Sequence, residues 1–222
     1  MSAYFITGAG TDIGKTFVAC GLIRTLRAQG RAVNAVKPVV SGFEDASARG
    51  SDPGKMLAAL DRPVTLEEVA AISPWRFVAP LSPDMAAAKE NRAIDFDAVV
   101  AFSRTADQDG VLLVEGVGGV MVPLDGQHTT LDWMVALGFP VIVVGGSYLG
   151  AISHTLSAVE VLRSRGLTIT AVVVSESANS MVPLDNTAQS VAKFAAPHVT
   201  VKLPRAFPLQ DAAFTALAGL IS

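Results

Sequence analysis

The sequence predicts an α/β fold, a mostly parallel sheet with helices on both faces, built as one domain over residues 1–222. Three observations carry this reading. Strand-like and helix-like runs alternate steadily along the chain. The strand-like runs are continuous Val/Ile/Leu stretches, the pattern of strands buried on both faces. No internal repeat, low-complexity tract or long linker divides the 222 residues, and half of them are apolar, enough to bury a large core.

In chain order, the strand-like runs are Tyr4–Thr7, Ala32–Val40, Val111–Val114, Val141–Val144, Ile169–Val174 and Thr200–Leu203. Helix-like runs cover Thr16–Ala28, Phe96–Thr105, Leu131–Leu137, Ile152–Ser164, Asn186–Phe194 and Leu209–Leu220. Ser41 to Asn91, rich in Pro, Ser and Asp, reads as irregular. Open α/β sheets bind ligands beyond the carboxyl ends of their strands. The loops after Thr7, Lys37, Val114, Val144, Val174 and Leu203 are therefore expected to carry the site.

Composition narrows the partners. With 17 basic and 20 acidic residues and no basic block, neither nucleic acid nor an anionic membrane is expected as a main partner. The single cysteine, Cys20, excludes a disulfide within one chain and reads as a small packing residue. A cytoplasmic location is expected, since no leader pattern is visible at Met1-Ser2-Ala3. Trp133 to Val159 carries no formal charge over a length that could span a bilayer. Gly138-Phe139-Pro140, Gly145-Gly146-Ser147 and Gly150 break it into helix end, buried strand and helix start.

The most informative stretch is Gly8-Ala9-Gly10-Thr11-Asp12-Ile13-Gly14-Lys15-Thr16, set between the first strand and the first helix. A helix start offers unpaired N–H groups and partial positive charge, and glycines let the backbone wrap an anion. Lys15 supplies a cation for the β/γ-phosphates and Thr16 a hydroxyl for Mg²⁺. This marks a P-loop NTPase-like domain, although the strict spacing would place the first glycine at Ala9.

Other strand ends add chemistry. Lys37, within Ala35-Val36-Lys37-Pro38, is costly in an apolar strand unless it meets an anion. A solvated strand-end lysine is the plainer alternative. Glu115 closes Val111-Leu112-Leu113-Val114-Glu115, the place of an acid that holds Mg²⁺ beside a phosphate loop, or of a carboxylate that merely caps a turn. Asp52 in Ser51-Asp52-Pro53 is a further oxygen ligand, or simply a helix opening. The turn Gly145-Gly146-Ser147-Tyr148-Leu149-Gly150 leads into a second helix start, which could take a carboxylate or be a plain tight turn. His154 reads as a packing residue, and neither His128 nor His198 has partners at zinc-ligand spacing.

With these motifs in place the chain resembles the dethiobiotin synthase family nearly end to end. The resemblance rests on Thr7-Gly8…Thr11-Asp12-Ile13-Gly14-Lys15-Thr16, Lys37-Pro38-Val39-Val40-Ser41-Gly42, Ser51-Asp52, Pro80-Leu81-Ser82-Pro83, Val114-Glu115-Gly116-Val117-Gly118-Gly119 and Leu149-Gly150-Ala151-Ile152-Ser153-His154. The longer loop from Gly8 is the form that family uses. The resemblance implies ATP- and Mg²⁺-dependent carboxylation of 7,8-diaminononanoate by CO₂. The carbamate attacks the γ-phosphate, and the second amine closes the ring, giving dethiobiotin, ADP and phosphate.

Carried over, the catalytic residues are Lys15 and Lys37, acting by charge. ATP is expected at Asp12, Ile13, Gly14, Lys15, Thr16, Phe17, Glu115, Gly116, Val117, Gly118, Ser175, Pro204, Arg205 and Ala206. The substrate is expected at Thr11, Ser41, Gly118, Gly150, Ala151, Ile152 and Ser153, and Mg²⁺ at Thr16, Asp52 and Glu115. The resemblance also implies a homodimer in which the Gly150–Ser153 helix start receives the substrate carboxylate across the interface.

Departures from the family pattern stand at three places. Ser175-Glu176 replaces a usual Asn-Asp whose amide reads adenine, so base selectivity is expected to be loose unless Asn179 or Pro204-Arg205-Ala206 supplies it. Asp84 stands where His usually follows Pro-x-Ser-Pro, and Tyr148 where lysine is common near the carboxylate pocket. Rival readings weaken on the same residues. A chromosome-partition ATP switch would carry an extra lysine where Gly10 stands and a basic surface. A ligase acting on larger acids would need residues for a glutaminase domain.

Overall fold

The structure, a computed structural model, describes residues 2–105, 110–178, 180–206 and 209–221. Strand β1 (Ser2–Gly8) runs through the phosphate loop into α1 (Lys15–Ala28). Next come β2 (Val33–Val36), β3 (Val39–Ser41), a 3₁₀ helix (Asp45–Gly50), α2 (Asp52–Ala59), α3 (Leu66–Ile72), β4 (Trp75–Phe77) and α4 (Pro83–Lys89). Then follow α5 (Phe96–Thr105), β5 (Val111–Glu115), α6 (Thr130–Leu137), β6 (Val141–Gly145) and α7 (Ala151–Ser164). The chain closes with β7 (Ile169–Ser175), α8 (Leu184–Ala195), β8 (Thr200–Leu203) and α9 (Leu209–Ala218).

Six strands form one sheet in the order β2-β5-β1-β6-β7-β8, and every neighbouring pair is parallel. The order reverses around β1, which places the carboxyl end of β1 at the crevice where such sheets bind ligands. Ile6 on β1 lies in register with Glu115 on β5, so the acid ends level with the start of the phosphate loop. Helix α1 packs with α2 and α9, α5 with α6, and α7 with α8. Trp133, fully buried on α6, sets its ring edge against Phe5 at 4.9 Å and donates its indole N–H to Ser103 Oγ at 3.2 Å. Cys20 is buried as a packing residue, and burial pushes its thiol up to about 12.

Two expectations are corrected. The strand expected over Ala32–Val40 is two strands. Only β2 joins the main sheet; β3 pairs with β4 in a separate two-stranded sheet. The break falls at Lys37-Pro38, where the Lys37 N–H turns to Ile72 O and Pro38 has no N–H for a ladder. The segment read as irregular from Ser41 to Asn91 holds a 3₁₀ helix, three short α-helices and β4. Local capping, not long periodicity, starts two of those helices: Ser51 and Thr65 accept from the N–H groups of Gly54 and Glu68. The uncharged stretch Trp133 to Val159 divides at its glycines into the end of α6, β6 and the start of α7. Among the described residues no helix is long and apolar enough to cross a membrane.

Candidate active site

The phosphate loop leaves β1 and ends at Gly14, whose φ of 102° is left-handed backbone that favours glycine. A Cβ there would also sit 2.9 Å from Ser175 Oγ. Helix α1 starts at once with Lys15, and the Lys15 Nζ reaches back across the loop to donate to Gly10 O at 2.7 Å. Burial, and secondarily the neighbouring Lys37 charge, pulls the Lys15 ammonium down to about 8.

Four polar side chains converge beside it. Thr16 Oγ1 donates to Glu115 Oε1 at 2.7 Å. Lys37 Nζ donates to the same oxygen at 2.7 Å and also to Asp52 Oδ2. Glu115 is fully buried and Lys37 nearly so. Burial alone would lower the Lys37 ammonium, but the charges of Glu115 and Asp52 outweigh it and hold it above the usual lysine range. Burial would raise Asp52; Lys37 overrides that and holds its carboxyl below the usual range. The second Glu115 oxygen, Oε2, is buried with no hydrogen-bond partner. The solvated strand-end reading of Lys37 is therefore excluded: the residue closes a buried ion cluster.

These groups line a cavity of about 710 Å³ together with Thr11, Asp12, Gly14, Phe17, Ser41, Val117 and Gly118. A second cavity of about 580 Å³ opens on the other side of the loop. It is lined by Ile13, Ser175 and Arg205 among the expected residues, and by Tyr148, Glu176, Ser177 and Ala178, which the sequence did not point to as lining. Phe17 and Asp12 border both cavities. The Glu176 carboxylate accepts from the Arg205 N–H at 2.7 Å. Pro204 and Ala206 flank Arg205 without lining either cavity. Asn179 lies outside the described residues.

Several expected residues fall elsewhere. Gly116 is buried against the core, where a Cβ would stand 2.7 Å from the Phe5 ring. Gly150, Ala151, Ile152 and Ser153 form the N-cap and first turn of α7 and line none of these cavities. A third cavity, of about 500 Å³, lies between the phosphate loop and α7, lined by Gly10, Thr11 and Met121 and by His154 further along the helix. His154 is exposed, not packed; its Nδ1 lies 2.9 Å from the Tyr148 hydroxyl. Helical periodicity alone had suggested packing. The turn before α7 is tied to the loop after β7 by a reciprocal pair: Ser147 N–H donates to Ser177 Oγ at 3.0 Å, and Ser177 N–H to Ser147 Oγ at 2.9 Å.

A glycine loop entering a helix, a lysine on that loop and a buried acid on the adjacent strand define a phosphate-loop nucleotide-binding α/β protein. Solved structures agree at the level of fold. The septum site-determining protein MinD complexed with Mg-ADP from Pyrococcus horikoshii matches with TM-score 0.57 at 17% identity, over 98% of this chain and 94% of that one. The cell division ATPase MinD of Pyrococcus furiosus matches with TM-score 0.56 at 18% identity, over 99% and 98%. A family model described as an AAA domain matches residues 2–212.

Sequence relatives are more specific. The chain is 51% identical to an ATP-dependent dethiobiotin synthetase of Acidiphilium cryptum, over 86% of this chain and 87% of that one. It is 54% identical to one of Phenylobacterium zucineum, over 82% and 80%, and 46% identical to one of Caulobacter vibrioides, over 93% and 94%. The chain belongs to the ATP-dependent dethiobiotin synthetase family and is an enzyme of this type.

Proposed function

We propose that the two cavities hold the two ends of one reaction: nucleotide phosphates and carbamate in the larger, nucleobase in the smaller. The observation that carries this is the convergence of Lys15, Thr16, Lys37, Asp52 and Glu115 at one wall. The reaction is the ATP-dependent ring closure of 7,8-diaminononanoate with CO₂. One amine takes up CO₂ and loses a proton to become a carbamate. A carbamate oxygen bonds to the γ-phosphorus as the bond to ADP breaks. The second amine then attacks the carbamoyl carbon, phosphate leaves, and the cyclic urea of dethiobiotin remains.

In this reading Lys15 and Lys37 neutralise charge on the transferring phosphoryl group and the carbamate, which is electrostatic rather than covalent catalysis. Thr11, Ser41 and Gly118 face the diamine, and Asp12, Ile13, Gly14, Phe17, Val117, Ser175 and Arg205 surround the nucleotide, with Pro204 and Ala206 shaping the Arg205 loop. The Ser41 hydroxyl is buried without a partner, as suits a group reserved for a ligand.

Magnesium fits the same wall. Among the described residues no three His, Cys, Asp or Glu side chains cluster as a metal cage. Mg²⁺ needs no such cage, since it commonly takes one or two carboxylates plus phosphate and water. Thr16, Asp52 and the unpartnered Oε2 of Glu115 would hold it, and it would supply positive charge to the phosphates.

We also infer a cytoplasmic homodimer acting through residues 1–222 as one domain. In this reading, which rests on the family resemblance, the Gly150–Ser153 helix start receives the carboxylate of substrate bound mainly by the second copy. Mass analysis of product formed from diaminononanoate, bicarbonate and ATP tests the whole reading. Dethiobiotin is the expected product; ATP hydrolysis stimulated by DNA but not by the diamine would overturn it.

A further inference from the structure

Lysine 55 has no assigned role, yet its position is unusual. It stands one turn after Asp52 on α2, and the two residues line the same phosphate-side cavity. A cation near a helix N-terminus opposes the helix dipole, so the helix itself gains nothing from it. The side chain is exposed and forms no ion pair among the described residues.

The charges around that cavity make its presence significant. Three carboxylates, Asp12, Asp52 and Glu115, face three ammonium groups, Lys15, Lys37 and Lys55. Lys37 is committed to Glu115 and Asp52, and Lys15 to the loop carbonyl of Gly10. Counting side chains alone, the walls without Lys55 would carry one net negative charge before Mg²⁺ adds its own, and Lys55 brings them to neutral. Among the described residues that line this cavity, Lys55 is the lysine whose ammonium has no ion-pair or hydrogen-bond partner, and its flexible stem suits it to follow a moving phosphate.

We propose that Lys55 is a third phosphate-binding cation, engaging the terminal phosphate of the bound nucleoside triphosphate. This rests on the reading of the cavity as the phosphate site. It is distinct from the loop lysine because it approaches from α2, the helix that also carries Asp52. In that reading Lys55 joins Lys15 and Lys37 at the terminal phosphate, and ADP, which lacks that phosphate, does not engage it.

The test is binding of ATP and of ADP to the full-length protein by titration calorimetry, with Mg²⁺ present, for wild type, Lys55→Ala, Lys55→Glu and Lys55→Arg. Loss of one charge-assisted contact predicts about ten-fold weaker ATP binding in Lys55→Ala, with ADP binding unchanged. Lys55→Glu should weaken ATP further, Lys55→Arg should restore it, and melting temperatures should match wild type. Equal ATP affinity in all four proteins, or equal weakening of ATP and ADP, overturns the proposal. Lys15→Ala serves as the separate control: if wild type itself fails to bind ATP, or Lys15→Ala binds it normally, it is the phosphate-site reading that fails.

Discussion

Lys37 and Glu115, 78 positions apart in sequence, meet at 2.7 Å with both side chains almost wholly removed from water. One ammonium thereby serves two carboxylates, because Asp52 shares it. A buried charge stripped of its partner is among the most destabilising changes a protein can suffer.

Lys37→Ala is expected to fail in two separable ways. Stability should fall by about 3–5 kcal/mol, because Glu115 is left as an uncompensated buried carboxylate. In the protein that remains folded, kcat should fall strongly while ATP affinity changes modestly, since the transferring group loses its cation. Chemical denaturation and steady-state kinetics read the two effects independently. Near-normal kcat at saturation would remove the proposed role in the transition state.

Lys15 gives a pH signature. Its ammonium is depressed to about 8 by burial and by Lys37, against an ordinary value of 10.5. Between these values the unfolded chain binds the extra proton and the folded chain does not, so this group makes stability rise with pH across that window. Below about pH 8 both states are protonated and the penalty of the buried charge is fully present. Nucleotide phosphate requires the charged form. ATP affinity should therefore decline above about pH 8, with uptake of one proton on binding. Calorimetry in buffers of different ionisation enthalpy measures that proton, and Lys15→Met should abolish it.

Glu115→Gln should raise the Mg²⁺ concentration needed for half-maximal turnover, because an amide oxygen binds the ion less strongly than a carboxylate. Chelation by EDTA should stop turnover in wild type and be reversed by added Mg²⁺. Activation curves that coincide for the variant and wild type would detach Glu115 from the metal.

Base selectivity should be loose. In the smaller cavity Ser175 offers a rotating hydroxyl, which both donates and accepts. The Glu176 carboxylate is already engaged by Arg205. Comparable kcat/KM for ATP, CTP and GTP is expected, and Ser175→Asn should shift preference toward ATP. Wild-type activity confined to ATP would contradict this.

Trp133→Ala should lower stability by about 3–5 kcal/mol with little change in KM. The ring packs on Phe5 beneath the site without reaching it. Thermal melts and substrate titration separate the two quantities.

Much of this architecture is legible in the chain because β5, β6 and β7 are continuous apolar runs and α5 spans the predicted Phe96–Thr105. Lys37-Pro38 illustrates what is not legible. Pro38, which has no N–H for a ladder, signals a strand end there, but that the chain then pairs with β4 in a second sheet is set by partners distant in sequence. The helices between Ser41 and Asn91 escape notice because they are too short for periodicity, and their signals are single caps such as Ser51 and Thr65. The phosphate side of the site is contiguous at Gly8–Thr16 and so reads directly. The smaller cavity, the proposed base side, is assembled from loops after three different strands, where Tyr148, Ser177 and Arg205 become neighbours only through the sheet order. Gly116 carries a second constraint inside a ligand-like motif: an aromatic ring stands where a Cβ would be.

The paired Ser147 and Ser177 bonds join two loops that are 30 positions apart in sequence. Each serine's hydroxyl takes the other's backbone N–H, and Ser180 adds a third tie to Ser147 O at 2.6 Å. The loop after β7 that lines the smaller cavity and the turn that launches α7 are therefore tied by three hydrogen bonds. Displacing either loop alone would break these bonds, so the two serine hydroxyls fix the position of Ser177 relative to the turn before Gly150.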